Sequence, residues 1–198
     1  MAQITAELVK ELRERTGVGM MECKKALSET AGDVDKAIEF LRKQGVAGAE
    51  KKASRKATEG LVEAYIHPGS RVGVLLEVNC ETDFVARTEE FQTLVRNLAM
   101  HVAAMKPLAV RREEIPTETV EHERGIYAEQ LKNEGKPAPL IERIVQGKVD
   151  KYFAGVVLLE QPYVRDDKKS VETVVKEAIT KLGENIVVRR FALFHLGQ

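Results

Sequence analysis

Between Val72 and Val102 the apolar residues change period. Val72, Val74, Leu76 and Val78 alternate with other residues, which predicts a strand with one buried face. Phe91, Leu94, Val95, Leu98 and Val102 then follow at helical spacing. Any fold for this chain must therefore turn from strand to helix within Asn79-Cys80-Glu81-Thr82-Asp83-Phe84-Val85-Ala86-Arg87. Thr88-Glu89-Glu90 supplies a cap and two acids for the helix that follows. Rigid elements hold both ends of such a turn, which makes it a natural place for a working segment. This one sets the charge of Asp83 beside the large apolar ring of Phe84.

The chain before that turn reads as three short helices. Thr5 caps a helix over residues 4–15 whose stripe is Ile4, Leu8 and Leu12, widened by Val9. Thr16-Gly17-Val18-Gly19 breaks it. A second helix, Met20 to Thr30, turns Cys23, Ala26 and Leu27 inward, and Asp33 caps a third that carries Val34, Ala37, Ile38 and Leu41 and closes at Gly45. A bundle this small suits recognition better than catalysis, because little interior remains for a pocket. Met20 and Met21 are neighbours, so they point about 100° apart and cannot both enter a core one helix wide. At least one is expected to face outward, where a flexible thioether suits an adaptable binding surface. Residues 46–58, with Lys51, Lys52, Arg55 and Lys56 among small residues, read as a solvated, partly helical linker.

The remainder mixes strands and helices. Val62, Ala64 and Ile66 alternate, His67 to Arg71 turns, and the second strand runs to Val78. The helix from Thr88 ends near Met105, ahead of Pro107. Residues 116–134 form an exposed helix with Val120, Ile126, Tyr127 and Leu131 as sparse apolar points. Lys136-Pro137-Ala138-Pro139 interrupts, and Leu140, Ile141, Ile144, Val145 and Val149 begin another helix, so a helical hairpin is expected over about 116–154. Gly155 to Val164 is β-rich, Arg165 to Lys169 is a polar turn, and Ser170 caps a helix carrying Val171, Val174, Val175, Ala178, Ile179 and Leu182 that Gly183 terminates. Asn185 to Leu196 is a final strand without clean alternation, which suggests burial on both faces or a bulge. The class is α+β, with antiparallel strands covered by helices.

Composition limits what such a chain does. It has 198 residues, 43% of them hydrophobic, and 31 basic residues balance 31 acidic ones. A zero net charge argues against a dedicated nucleic-acid binder, and the basic run at 51–56 lacks aromatic residues to stack on bases. No apolar run is long enough to span a bilayer, and Met1 to Glu7 lacks the basic and apolar regions of a signal peptide. Cys23 and Cys80 lie far apart and form no metal motif, which points to a reducing cytoplasm. His67, His101, His122 and His195 are scattered; His67 reads as a turn residue, and His101, on the edge of its helix, as structural or surface. Cys80 has no base partner in sequence, and an isolated Asp83 is more often a cap or a contact than a general base. Asp166 and Asp167 are adjacent carboxylates without further ligands. Nucleotide-binding, hydrolase and metalloprotease motifs are absent, so no catalytic residue, metal ligand or cofactor is expected.

Three ordered runs resemble the bacterial elongation factor Ts family: Leu8 to Leu27 around Arg15-Thr16-Gly17-Val18-Gly19-Met20-Met21, Glu77 to Arg87 around Thr82-Asp83-Phe84-Val85, and Leu182-Gly183-Glu184-Asn185-Ile186. The resemblance covers essentially the whole chain. It implies an N-terminal three-helix module like ubiquitin-associated domains over residues 1–55, linker included. An α+β core would fill 56–198, with a small antiparallel sheet covered by helices and a projecting helical hairpin. It implies a cytoplasmic guanine-nucleotide exchange factor that makes no bonds itself. Its partner would be elongation factor Tu, both GDP-bound and nucleotide-free. Thr82, Asp83, Phe84 and Val85 would enter the GTPase near its magnesium, with Phe84 as the wedge. Lys10, Arg13, Met20, Met21 and Lys24, with Leu182 and Gly183, would bind the partner. Longer members hold two copies of the core subdomain; this chain has room for one, so a homodimer is expected, with the C-terminal strand as a plausible edge. No direct contact with nucleic acid or membrane is implied. A ubiquitin-associated-type scaffold or nascent-chain-binding module would also use the three helices but leaves Thr82 to Val85 idle. A small-molecule enzyme built on Cys80 or Asp83 would need a pocket that the sequence does not reveal.

Overall fold

The computed structural model describes residues 4–197. Met1, Ala2, Gln3 and Gln198 lie outside the described residues, and with them the start of the stretch read for a signal peptide. The chain forms two compact units, each gathered from separate stretches. One holds the chain up to Leu61, Val78–Leu94 and Thr173–Val187; the other holds Val62–Glu77, Val95–Glu172 and the chain from Val188.

The first unit begins with α1 (Ala6–Thr16), α2 (Met20–Glu29) and α3 (Val34–Lys52). The Thr5 hydroxyl accepts the Leu8 N–H at 3.3 Å, as a cap should. Gly17, at φ 68°, ends α1 by donating its N–H to the Arg13 carbonyl. Asp33 caps α3 by accepting the Lys36 N–H at 3.0 Å. Val9, Leu12, Val18, Cys23, Ala26, Leu27, Ala37 and Leu41 form one buried cluster, the bundle that the apolar spacing predicts.

Helix α3 does not close at Gly45 but runs on to Lys52, through much of the expected linker. Gly45 is buried, and a Cβ there would lie 2.8 Å from Thr180 Oγ1. Thr180 belongs to α8 (Val171–Leu182), and its hydroxyl oxygen lies 2.9 Å from the Lys176 carbonyl and 3.3 Å from that of Gly45. The glycine thus permits close packing against a second helix rather than ending its own.

Three strands, β1 (Glu59–Ile66), β2 (Val72–Cys80) and β5 (Val187–His195), form an antiparallel sheet in the order β1-β2-β5. The hairpin turn is held by His67 N–H to Val72 O at 2.9 Å and Ser70 N–H to His67 O at 3.0 Å. Val74, Leu76, Val78 and Cys80 are buried at alternate positions of β2. Strand β5 is not buried on both faces: Val188 alone is fully buried, while Arg189, Arg190, Ala192 and Phe194 are exposed. Its apolar residues are thus more exposed than their lack of alternation suggests, and as the last strand of the order β1-β2-β5 it has a hydrogen-bonding neighbour on one side only. Between β2 and α8 come α4 (Asp83–Ala86) and α5 (Glu89–Met105), the latter capped by Thr88, whose hydroxyl accepts the Phe91 N–H at 3.3 Å.

The second unit contains the expected helical hairpin, α6 (Thr117–Asn133) and α7 (Ala138–Val156). Leu131, Ile141, Val145, Val149 and Phe153 are buried with Ala109, Ile115 and Val157. The β-rich run from Gly155 is mostly helix end and turn, leaving only β3 (Pro162–Tyr163), and the expected polar turn is instead β4 (Asp166–Ser170), antiparallel to it. His101 is not at a helix edge but fully buried. Its Nδ1 accepts the Val164 N–H at 3.2 Å, so its Nε2 carries the proton and donates to Gln161 Oε1 at 3.0 Å. Among the described residues no helix is long and apolar enough to cross a membrane.

Candidate partner-binding site

The strand-to-helix turn is more ordered than a loop. Thr82 leaves β2 in an extended conformation and caps α4, accepting the Val85 N–H at 3.3 Å. One turn of helix then presents Asp83, Phe84 and Val85. Phe84 is 78% exposed, more than any other large apolar side chain among the described residues. Burying such a ring would contribute roughly 1.5–3 kcal/mol to the fold, so its outward position costs stability that a partner could recover. Asp83 faces Arg87 at 2.8 Å, an exposed pair one helical turn apart.

The turn is anchored from the C-terminal end of α8. Gly183, at φ 80°, ends that helix with its N–H on the Ile179 carbonyl, and Glu184 follows. Glu184 Oε2 accepts the N–H groups of Glu81 and Thr82, each at 3.0 Å, and Glu184 Oε1 accepts the Thr82 hydroxyl at 2.6 Å. In return Glu81 Oε1 accepts the Asn185 N–H at 2.6 Å. The Asn185 amide donates to the carbonyls of Arg55 at 2.8 Å and Ala53 at 3.4 Å. Three separate stretches of the unit thus meet behind Thr82.

Neither candidate nucleophile nor candidate base is poised for chemistry. Burial, with help from the Glu184 carboxylate, pushes the Cys80 thiol up to about 11, and it donates to the Thr82 carbonyl at 3.1 Å. Asp83 is engaged by Arg87. Among the described residues, no group of three or more His, Cys, Asp or Glu side chains could hold a metal ion.

The bundle contributes an exposed face. Lys10, Arg13 and Lys24 are solvent-exposed, and both methionines point outward, Met20 at 44% and Met21 at 74%. The sequence required only one of them to do so. A Cβ on Gly17 would lie 2.9 Å from Lys181 Cε, so the turn leading into Met20 lies against the end of α8, beside half-buried Leu182 and exposed Gly183. All the residues expected to touch a partner therefore belong to one compact unit, though they come from three parts of the sequence. The clamp through Glu184, Glu81 and Asn185 was not among the expected site residues, although Glu184 and Asn185 stand in the third of the runs quoted above.

The first unit thus presents a capped, apolar-tipped turn of helix and, on its bundle, two outward-pointing methionines. The sequence profile of the family described as Elongation factor TS matches residues 6–198. Elongation factor Ts of Heliobacterium modesticaldum is 56% identical over 195 residues, covering 98% of this chain and 91% of that protein. That of Thermosipho melanesiensis is 58% identical, covering 98% of this chain and 100% of its own. That of Desulforamulus reducens is 54% identical over 198 residues, covering 100% and 91%. The chain belongs to the elongation factor Ts family, whose members serve protein biosynthesis.

Proposed function

We propose that this protein is a guanine-nucleotide exchange factor that binds elongation factor Tu with GDP and promotes its release. The single observation that carries the reading is Phe84, a fully presented aromatic ring on one turn of helix capped at Thr82. Inserted near the magnesium site, the ring would fill a pocket at small entropic cost and displace groups that hold the metal and phosphates. Asp83 would repel the phosphates or compete for their hydrogen bonds. The factor weakens nucleotide binding only as much as nucleotide weakens factor binding. A coupling on the order of a thousandfold needs about 4 kcal/mol of differential binding.

In this reading residues 1–55 are the partner-binding module and 56–198 the core that carries the wedge. Lys10, Arg13, Met20, Met21, Lys24, Leu182 and Gly183 hold the GTPase while Thr82 to Val85 enter. The work is cytoplasmic, and neither nucleic acid nor membrane takes part. Two copies act together: edge strand β5 and the exposed Val62, Ala64, Ile66, Leu75, Ala192 and Phe194 offer an apolar sheet face to a second copy.

The test is stopped-flow release of labelled GDP from elongation factor Tu. The folded protein is expected to accelerate release in proportion to its concentration until saturation. Release no faster than without it would sink the exchange reading.

A further inference from the structure

We infer that Glu184 is the positioning residue of the exchange element, setting the direction in which Phe84 enters the partner. The inference rests on the wedge reading of Phe84. One carboxylate makes three hydrogen bonds to two consecutive residues, the Glu81 N–H, the Thr82 N–H and the Thr82 hydroxyl, at 3.0, 3.0 and 2.6 Å. Hydrogen bonds to an ionised acceptor are stronger and more directional than neutral ones. Thr82 is also the cap of α4. Its hydroxyl donates to Glu184 and its oxygen accepts the Val85 N–H, so the carboxylate fixes the rotamer that starts the helix bearing Phe84. The Glu81 to Asn185 bond runs the other way, giving a closed, reciprocal clamp between the two backbones.

The clamp joins two parts of the binding surface. Glu184 directly follows Leu182 and Gly183, and Thr82 directly precedes Asp83 and Phe84. Contact of the partner with the end of α8 is thereby referred to the position of the ring without an intervening flexible segment. Among the described residues, the contacts on the ring side of the clamp are of another kind. Cys80 meets the Thr82 carbonyl, not its N–H, and the Asp83–Arg87 pair is exposed and internal to the turn. A wedge left loosely held would still dock with its module but would strike the cation site at a poor angle, as expected of a site whose supporting shell is missing.

The experiment is a double-variant cycle in the GDP-release assay, with the full chain at a temperature well below the unfolding of every variant. Glu184→Ala is expected to lower the saturating release rate about tenfold, a loss typical of misplacement on the ångström scale, while the half-saturating concentration moves less than about twofold. In the Phe84→Ala background Glu184→Ala is expected to add nothing, because it acts through the ring. Glu184→Gln, which keeps the length and an acceptor oxygen for the two amides, should recover most of the rate. Glu184→Ala at the parent rate, or the same loss with and without Phe84, or a Gln variant as slow as Ala, each overturns the positioning role. Should the alanine variant not fold, Glu184→Asp, whose carboxylate is one methylene too short for all three bonds, takes its place and the same outcomes decide. Phe84→Ala at the parent rate removes the wedge reading and the positioning role together. A slow Phe84→Ala with a normal Glu184 variant removes the positioning role alone.

Discussion

The Oγ1 of Thr180 lies 3.3 Å from the carbonyl of Gly45, sharing its proton with the nearer Lys176 carbonyl at 2.9 Å, and stands 2.8 Å from where a Gly45 Cβ would be. The Thr180 side chain of α8 thus packs directly against the Gly45 backbone of α3. Gly45→Ala should destabilise the protein by about 1 kcal/mol, because overpacking of about 1–3 kcal/mol exceeds the helix-propensity gain of about 1 kcal/mol. In a Thr180→Ala background the same change should become neutral or stabilising, since the obstructing atoms are gone. Thermal unfolding of the four proteins measures this directly, and equal effects in both backgrounds would contradict the close contact.

His101 makes stability depend on pH. Burial holds its imidazole below the ordinary value near 6.5, and protonation would break the bond from the Val164 N–H. The unfolded chain therefore binds this proton more readily than the folded one, so stability rises with pH across the window. It should be fully present above about pH 6.5 and fall as acid is added, by at most about 1.4 kcal/mol per pH unit. Urea unfolding between pH 5 and 8 should show the slope, and His101→Gln should flatten it while lowering the plateau. A slope unchanged in that variant would assign it to other groups.

Phe84→Ala separates function from fold. A ring 78% exposed contributes little to the core, so the unfolding midpoint should stay within about 0.5 kcal/mol of the parent. The saturating rate of GDP release should drop at least about tenfold. A variant that exchanges as fast as the parent would end the wedge reading.

Met20 and Met21 should govern affinity instead. Changing both to Ala removes exposed apolar surface from the start of α2 without touching the buried Cys23, Ala26 and Leu27. The half-saturating concentration of factor should rise about tenfold or more, with the saturating rate little changed. Circular dichroism should match the parent. A lowered saturating rate at unchanged affinity would place these side chains in the exchange step instead.

Phe194 tests the proposed dimer. It lies 66% exposed on edge strand β5. Phe194→Asp should shift the sedimenting species from dimer to monomer, because a charge at an apolar contact opposes association. A parent protein that sediments as a monomer at micromolar concentration would refute the paired arrangement.

Several elements were legible in residue order because their causes are local. The caps Thr5, Asp33 and Thr88 and the stop at Gly183 each act within one turn, and each lies where the sequence indicates. The alternating β2 and the stripe of α5 needed only periodicity. Gly45 was misread as a stop because a helix interrupter and a close-packing glycine look alike until the neighbouring helix is known. For strand β5 residue order left burial on both faces or a bulge open, because an exposed apolar run has the composition of a core strand; Arg189, Arg190, Ala192 and Phe194 are exposed.

For the proposed binding site, residue order singled out Phe84 and Asp83 by their chemistry, and the bundle residues through the ordered runs that carry the family resemblance. It could not show that Met20 and Met21 both face outward, since that depends on which face of α2 the other helices cover. Nor could it show that Thr82 is held by Glu184, about a hundred residues away along the chain. Residue order placed Phe84 beside Asp83 in the strand-to-helix turn. Only tertiary structure, by bringing the end of α8 behind the end of β2, decided what holds it in place: a hydrogen bond needs its donor and acceptor within about 3 Å, whatever their separation in sequence.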